Sequence, residues 1–278
     1  MILHLQSVPP RNGLLWVRHG LKVLQRKPIA LIGLFGLFAL FNIAINFVPL
    51  IGQVLSAGSL PLMSLGFMLA AHQVLQAQTP TASVFLQPLR LTPERRRAQL
   101  LLGLACALSL MAAGALSLLV DGGALLRLLE MRQSGQSDAA IEAAMAANPM
   151  LFFGGLLRMV LLMAVLVPFT LAPALIHWGG QGVMQSLFSS VLGLWRNKGA
   201  YALFGVAWIG LSFAGLIVLT LFAVLLGQPG LAQVLAVPLV MALATAQFCS
   251  MYFVFIDCFM FGAPRDLPES PGTPGTPG

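Results

Sequence analysis

The chain has 278 residues, 58% of them hydrophobic and 8% charged, with a net charge of +7 and a mean hydropathy of +0.91. A soluble domain wets its surface with about 25% charged residues, so this composition excludes a soluble globule and sends the apolar surface to lipid. In a soluble protein the basic balance would suggest nucleic acid. Here the cations flank apolar runs, where they act as orientation signals and contacts to anionic headgroups, and no nucleic-acid partner is expected.

The N-terminal segment holds Arg11, Arg18, Lys22, Arg26 and Lys27 with no acid. Its stretch Leu14–Gln25 is amphipathic, with Trp16 beside the cations, and is expected to lie in the headgroup plane. It is read as an interfacial segment and not as a cleavable signal peptide, so the first span is expected to direct insertion. That span covers about residues 29–49 and carries Asn42 and Asn46. After an uncharged turn the second span, about 54–76, carries Pro61 and His72. A second amphipathic prelude, Ser83–Arg97, brings Arg90, Arg95, Arg96 and Arg97 against Glu94.

Span three covers about 98–120 and leads into an excursion at 121–149, where Arg127 and Arg132 face Asp121, Glu130, Asp138 and Glu142. Span three is expected to continue through Leu125–Met131, with a short helix after Ser137 as N-cap and Pro149 opening span four. Span four, about 150–176, carries Arg158, Pro168 and Pro173, with His177 at its end. The third prelude, Val183–Lys198, holds Trp195, Arg196 and Lys198. Spans five and six, about 201–227 and 231–261, are joined by an uncharged turn, and the sixth carries Pro238, Gln247 and Asp257.

Apolar runs of about 20 residues cross a bilayer as helices, because backbone amides in lipid must be satisfied within the segment. The fold class is therefore all-α, a polytopic membrane protein of six transmembrane helices in three hairpins, each preceded by an interfacial amphipathic helix. Residues 1–263 form one membrane domain, and the Pro/Gly-rich tail at 264–278 is expected to be disordered. Cation-rich and cation-poor connections alternate, which puts both termini in the cytoplasm.

Ionisable and amide side chains inside the spans are the candidate functional residues, since burying them in lipid costs several kcal/mol. Asp257 reads as a proton or cation site, or as an interfacial acid paired with Arg265 or a basic prelude. Arg158 reads as a snorkelling side chain in an ion pair with Asp121, or as a substrate contact. Asn42 and Asn46, four residues apart on one helix face, could line a solute path with Gln247 or bond between helices. His72 and His177 sit at matching depth near the cytoplasmic face and, with Asp257, could form a proton or cation site. Pro61, Pro168, Pro173 and Pro238 free backbone carbonyls, as kinks or as the broken helices of transporters. Small residues Gly33, Gly36, Gly154, Gly155, Gly210 and Gly215 would allow close helix approach.

Cys106, Cys249 and Cys258 lack metal or disulfide spacing and read as small buried hydrophobes. No H-E-x-x-H, G-x-S-x-G or P-loop pattern occurs. Gly210-Leu211-Ser212 has a protease-like look, but Ser212 lies about 17 Å from the boundary where the histidines sit. No cofactor and no enzyme activity are expected.

Three stretches resemble a known group: Phe47-Val48-Pro49-Leu50-Ile51-Gly52 with Leu60-Pro61-Leu62, Phe169-Thr170-Leu171-Ala172-Pro173-Ala174-Leu175, and Gln185-Ser186-Leu187-Phe188 through Arg196-Asn197. They are similar to segments of a BPSS-type family of proteobacterial multi-pass inner-membrane proteins. The resemblance covers most of residues 12–262, implies an inner-membrane location and brings no catalytic residues. The leading expectation is a non-enzymatic organising or accessory membrane protein, with anionic lipid headgroups as partners and no particular protein partner indicated. The alternative is a transporter or permease for a small solute or lipid.

Overall fold

A computed structural model describes residues 3–49, 51–148 and 150–261. The helices, in chain order, are α1 (Asn12–Arg26), α2 (Pro28–Asn46), α3 (Ile51–Leu75), α4 (Pro93–Asp121), α5 (Ala124–Gln133), α6 (Asp138–Ala146), α7 (Met150–Phe169), α8 (Ala172–Gly179), α9 (Val183–Arg196), α10 (Lys198–Leu225) and α11 (Pro229–Cys258). Six segments are long and apolar enough to cross a membrane, with α7 and α8 together making the fourth. Their limits lie within a few residues of those expected for most spans, because an apolar run of about 20 residues announces itself in sequence. The tail at 264–278 and Pro149 lie outside the described residues.

Three local features differ from the expectations. Span three stops at Asp121 because Gly122 and Gly123 adopt φ +58° and +77°, a left-handed conformation that glycine enters without a Cβ clash. The expected continuation is thus a separate helix, α5. Ser137 does cap α6, accepting the Ala140 N–H at 3.3 Å. The second prelude is not one amphipathic helix: it forms two 3₁₀ turns, Ala82–Phe85 and Gln87–Arg90, and Arg95, Arg96 and Arg97 fall in the opening turns of α4. Phe85 folds back along α3, with its ring centroid 5.8 Å from both Phe67 and Phe38. Finally, two short strands missing from the sequence reading, β1 (Leu3–Leu5) and β2 (Phe259–Phe261), pair antiparallel.

The spans form an open array in which α11 packs on α10 and α3, α3 on α4, and α4 on α7, with α2 against α3 and α11. At the Gly58–Gly103 crossing, a Cβ on Gly103 would stand 2.6 Å from the Gly58 carbonyl oxygen, so the close approach of α3 and α4 requires glycine there. Of the six glycines expected to allow close approach, Gly33, Gly155 and Gly210 face open space.

The dense core lies at one end of the array, where α1, α8 and α9 also pack. Trp16, Phe67, Met68, Leu175 and Phe255 are fully buried there. Toward the other end the helices expose long apolar faces, among them Phe213, Ile217 and Leu221 on α10 and Phe152, Leu156 and Met159 on α7. Such faces are stable only in lipid or against another helix.

Candidate functional site

The six spans bring the candidate polar residues to several separate places. Asp257, near the end of α11, is half-buried. Its Oδ2 accepts a 2.7 Å hydrogen bond from Trp16 Nε1 and a 3.1 Å bond from Asn12 Nδ2. Asp257 thus pairs with the first basic prelude through two neutral donors, Trp16 and Asn12 of α1, and Arg265 lies outside the described residues. Trp16 was expected at the headgroups but is fully buried, its ring edge-on to Tyr201 and Phe204 of α10. The reason is geometric: α1 sits so close to α10 and α11 that a Cβ on Gly20 would stand 2.5 Å from the Ala246 carbonyl oxygen.

A second knot surrounds Asn197, which is 2% exposed. Its Oδ1 accepts the Val8 N–H at 2.8 Å. Its Nδ2 donates to the carbonyls of Gln6 and Gly193, each at 3.0 Å. One amide therefore ties the segment after β1 to the junction of α9 and α10. Sequence reasoning missed this residue because it stands between two helices, with no local signal of its distant partners.

His72 Nδ1 lies 2.8 Å from the Tyr252 hydroxyl, and its Nε2 lies 3.1 Å from Gln76 Nε2. His177 offers its backbone carbonyl to Arg95 Nη1 at 2.9 Å, and its ring stands edge-on to Trp178. His72, His177 and Asp257 do not converge, and among the described residues no group of three or more His, Cys, Asp or Glu could hold a metal ion.

Asn42 and Asn46 share a helix face as expected, but each donates to its own helix, to the Phe38 and Asn42 carbonyls respectively. Asn42 Oδ1 also accepts from Ser56 across the first hairpin. Arg158 Nε donates to Ser117 on α4 at 2.8 Å, while the side chain of Asp121 lies outside the described residues.

Pro61, Pro168 and Pro238 lie inside α3, α7 and α11, and Pro173 lies in the first turn of α8. The fourth span is broken at Thr170–Leu171, and neighbours satisfy the exposed backbone. Ser190 Oγ accepts the Leu171 N–H at 3.3 Å, Ser64 Oγ donates to the Thr170 carbonyl at 3.4 Å and Gln99 Nε2 donates to the Pro173 carbonyl at 2.8 Å. Irregular backbone at membrane depth is tolerated where protein covers it in this way.

Beside this break lies a cavity of about 250 Å³, lined by Pro61, Ser64, Thr170, Gln247 and Phe248 among others. Asn42 is not among its lining residues, so the three expected path amides do not share this space. Two further cavities, of about 340 and 330 Å³, adjoin along α2, α3 and α4.

No protein-family model matches the chain, and no solved structure matches it significantly. A probable inner membrane protein of Burkholderia thailandensis is 28% identical over 272 residues, covering 98% of this chain and 99% of that one. With six membrane-capable helices, the chain is a multi-pass membrane protein.

Proposed function

We propose that the chain is a bacterial inner-membrane protein with a non-enzymatic role, organising or assisting other membrane components. The observation that carries this reading is how the polar side chains are used. Asp257, Asn197, Gln99 and Ser190 hold helix ends and chain breaks together, and the named candidates do not gather into one reactive site. The bundle is thereby fixed at one end, while the exposed apolar faces of α7 and α10 remain available to lipid or a partner helix.

The cation asymmetry supports a cytoplasmic position for both termini and for the Arg90–Arg97 connection. Cations on α1 and α9 would then meet anionic headgroups, with Lys198 set 5.2 Å over the Trp195 ring at the surface. The likeness to the Burkholderia protein supports the inner membrane as location, and the sequence resemblance supports the BPSS-type group as family.

A second reading, transport of a small solute or lipid, is favoured by the broken fourth span beside the Gln247 cavity. Native mass spectrometry of the chain extracted in polymer nanodiscs separates the two. A stoichiometric protein companion is the expected result. A chain that flies alone, holding a solute lost on Gln247→Leu, would overturn the accessory role in favour of transport.

A further inference from the structure

The two adjoining cavities on α2, α3 and α4 share Phe41, Ser59 and Leu62. They make a continuous groove from the folded-back 3₁₀ segment, at Phe85, Leu86 and Leu89, to Ile45 and Val54 near the first hairpin's turn. Along α3 the groove runs from Val54 to Met63, about 14 Å at the helical rise.

Of its polar lining groups, Ser59 donates to the Ser56 carbonyl at 2.7 Å and Gln99 Nε2 to the Pro173 carbonyl at 2.8 Å, while the buried Gln99 Oε1 has no hydrogen-bond partner. The rest of the lining is apolar and suits an acyl chain.

Cations adjoin the lining residues in the chain. Arg90 directly follows Leu89, and Arg96 and Arg97 precede Leu100 by four and three residues, on the α4 face that carries Leu100, Gly103 and Leu104. All three arginines are exposed, whereas Arg95 is held by the His177 carbonyl. The one acid of this connection is Glu94.

We infer that this groove is a binding site for one anionic phospholipid, with an acyl chain along Phe41, Ser59 and Leu62 and the phosphate against Arg90, Arg96 and Arg97. An arginine fork pairs with the phosphate of either lipid in a bidentate manner, and charge complementarity selects phosphatidylglycerol, whose net negative charge is not neutralised by a choline cation. Apolar burial at about 0.8 kcal/mol per methylene retains the chain whatever the headgroup. The site rests on the membrane reading but not on the accessory role.

The test places the full chain in nanodiscs of equal phosphatidylglycerol and phosphatidylcholine, transfers it to detergent and weighs retained lipid by native mass spectrometry. The native chain is expected to keep about one phosphatidylglycerol, at least tenfold over phosphatidylcholine. Ser59→Phe fills the groove and should abolish retention of both. The double variant Arg96→Gln, Arg97→Gln changes only exposed side chains and should keep a lipid while losing the headgroup preference. Should Ser59→Phe fail to give a monodisperse protein, the arginine variant decides alone. Unselective retention by the native chain, or an undiminished preference in the arginine variant, overturns the site. Either result leaves the accessory role standing, because that role is read from protein companions.

Discussion

Asp257→Leu is expected to release α1 from the bundle and to lower stability by about 3–5 kcal/mol, the cost of two charge-assisted bonds and a stranded donor. The carboxylate accepts from both Trp16 Nε1 and Asn12 Nδ2. Trp16 is fully buried, so its indole N–H has no water to turn to once the acceptor is gone. Asp257→Asn keeps an acceptor oxygen at the same place and should cost about 1 kcal/mol. The two variants are compared by thermal unfolding in detergent and by trypsin cleavage after Arg18 and Lys22 of α1. Equal behaviour of the leucine and asparagine variants would mean that the contact does not hold α1 in place.

The second large effect is expected at Asn197. Its amide serves the Val8 N–H and the Gln6 and Gly193 carbonyls at once, and the residue is nearly fully buried. Asn197→Ala leaves those groups short of partners and should cost about 2–4 kcal/mol. Asn197→Asp retains the acceptor for Val8 but sets a carboxylate against two carbonyl oxygens. It should therefore be no better than alanine, although it changes one atom type. Hydrogen exchange at the Val8 amide gives a local readout: fast exchange in the alanine variant, with slower exchange in the aspartate variant. Slow exchange in both would show that β1 is held by its pairing with β2 alone.

The six spans were legible because membrane insertion leaves its mark on composition over about 20 residues at a time. The Ser137 cap was legible for a similar reason, being a local rule carried by one residue and its next three. The double glycine at 122–123 was a visible punctuation mark, yet apolar Leu125–Met131 outweighed it in the reading. The second prelude shows a different failure. Its cations and apolar residues suit an interfacial helix, but Pro88 and Pro93 divide the stretch, and prolines interrupt backbone bonding.

The contacts that organise the core were out of reach of any local pattern. Trp16 and Asp257 are 241 positions apart, and a tryptophan beside lysine and arginine looks the same whether it meets lipid or a buried carboxylate. Gly13 and Gly20 did offer a sign, because residues seven apart lie on one helix face and small residues there admit a neighbouring backbone. The amides of α2 share one face, and Asn42 makes a bond between helices, to Ser56, of the kind the sequence allowed, but the sequence could not reveal that each amide also donates to its own helix. The histidines were expected at one depth, and they flank one ring pair that no local pattern reveals: His72 meets Tyr252, His177 meets Trp178, and those two rings lie edge-on at 6.1 Å.

That the polar side chains join helices, and do not line a path across the membrane, is tested most directly by water access at Gln247. A Gln247→Cys chain in sealed vesicles of each orientation is treated with a membrane-impermeant thiol reagent. The native Cys249 and Cys258 are buried and give the unlabelled baseline, while Cys106, which lines the same cavity, is changed to Ser. The expected result is no labelling of Cys at position 247 from either side, since apart from Ser64 and Thr170 its cavity is lined by apolar side chains such as Leu60, Leu166 and Phe248. Labelling from either side would establish an aqueous route to the middle of the bundle and would contradict the account in favour of a transporter.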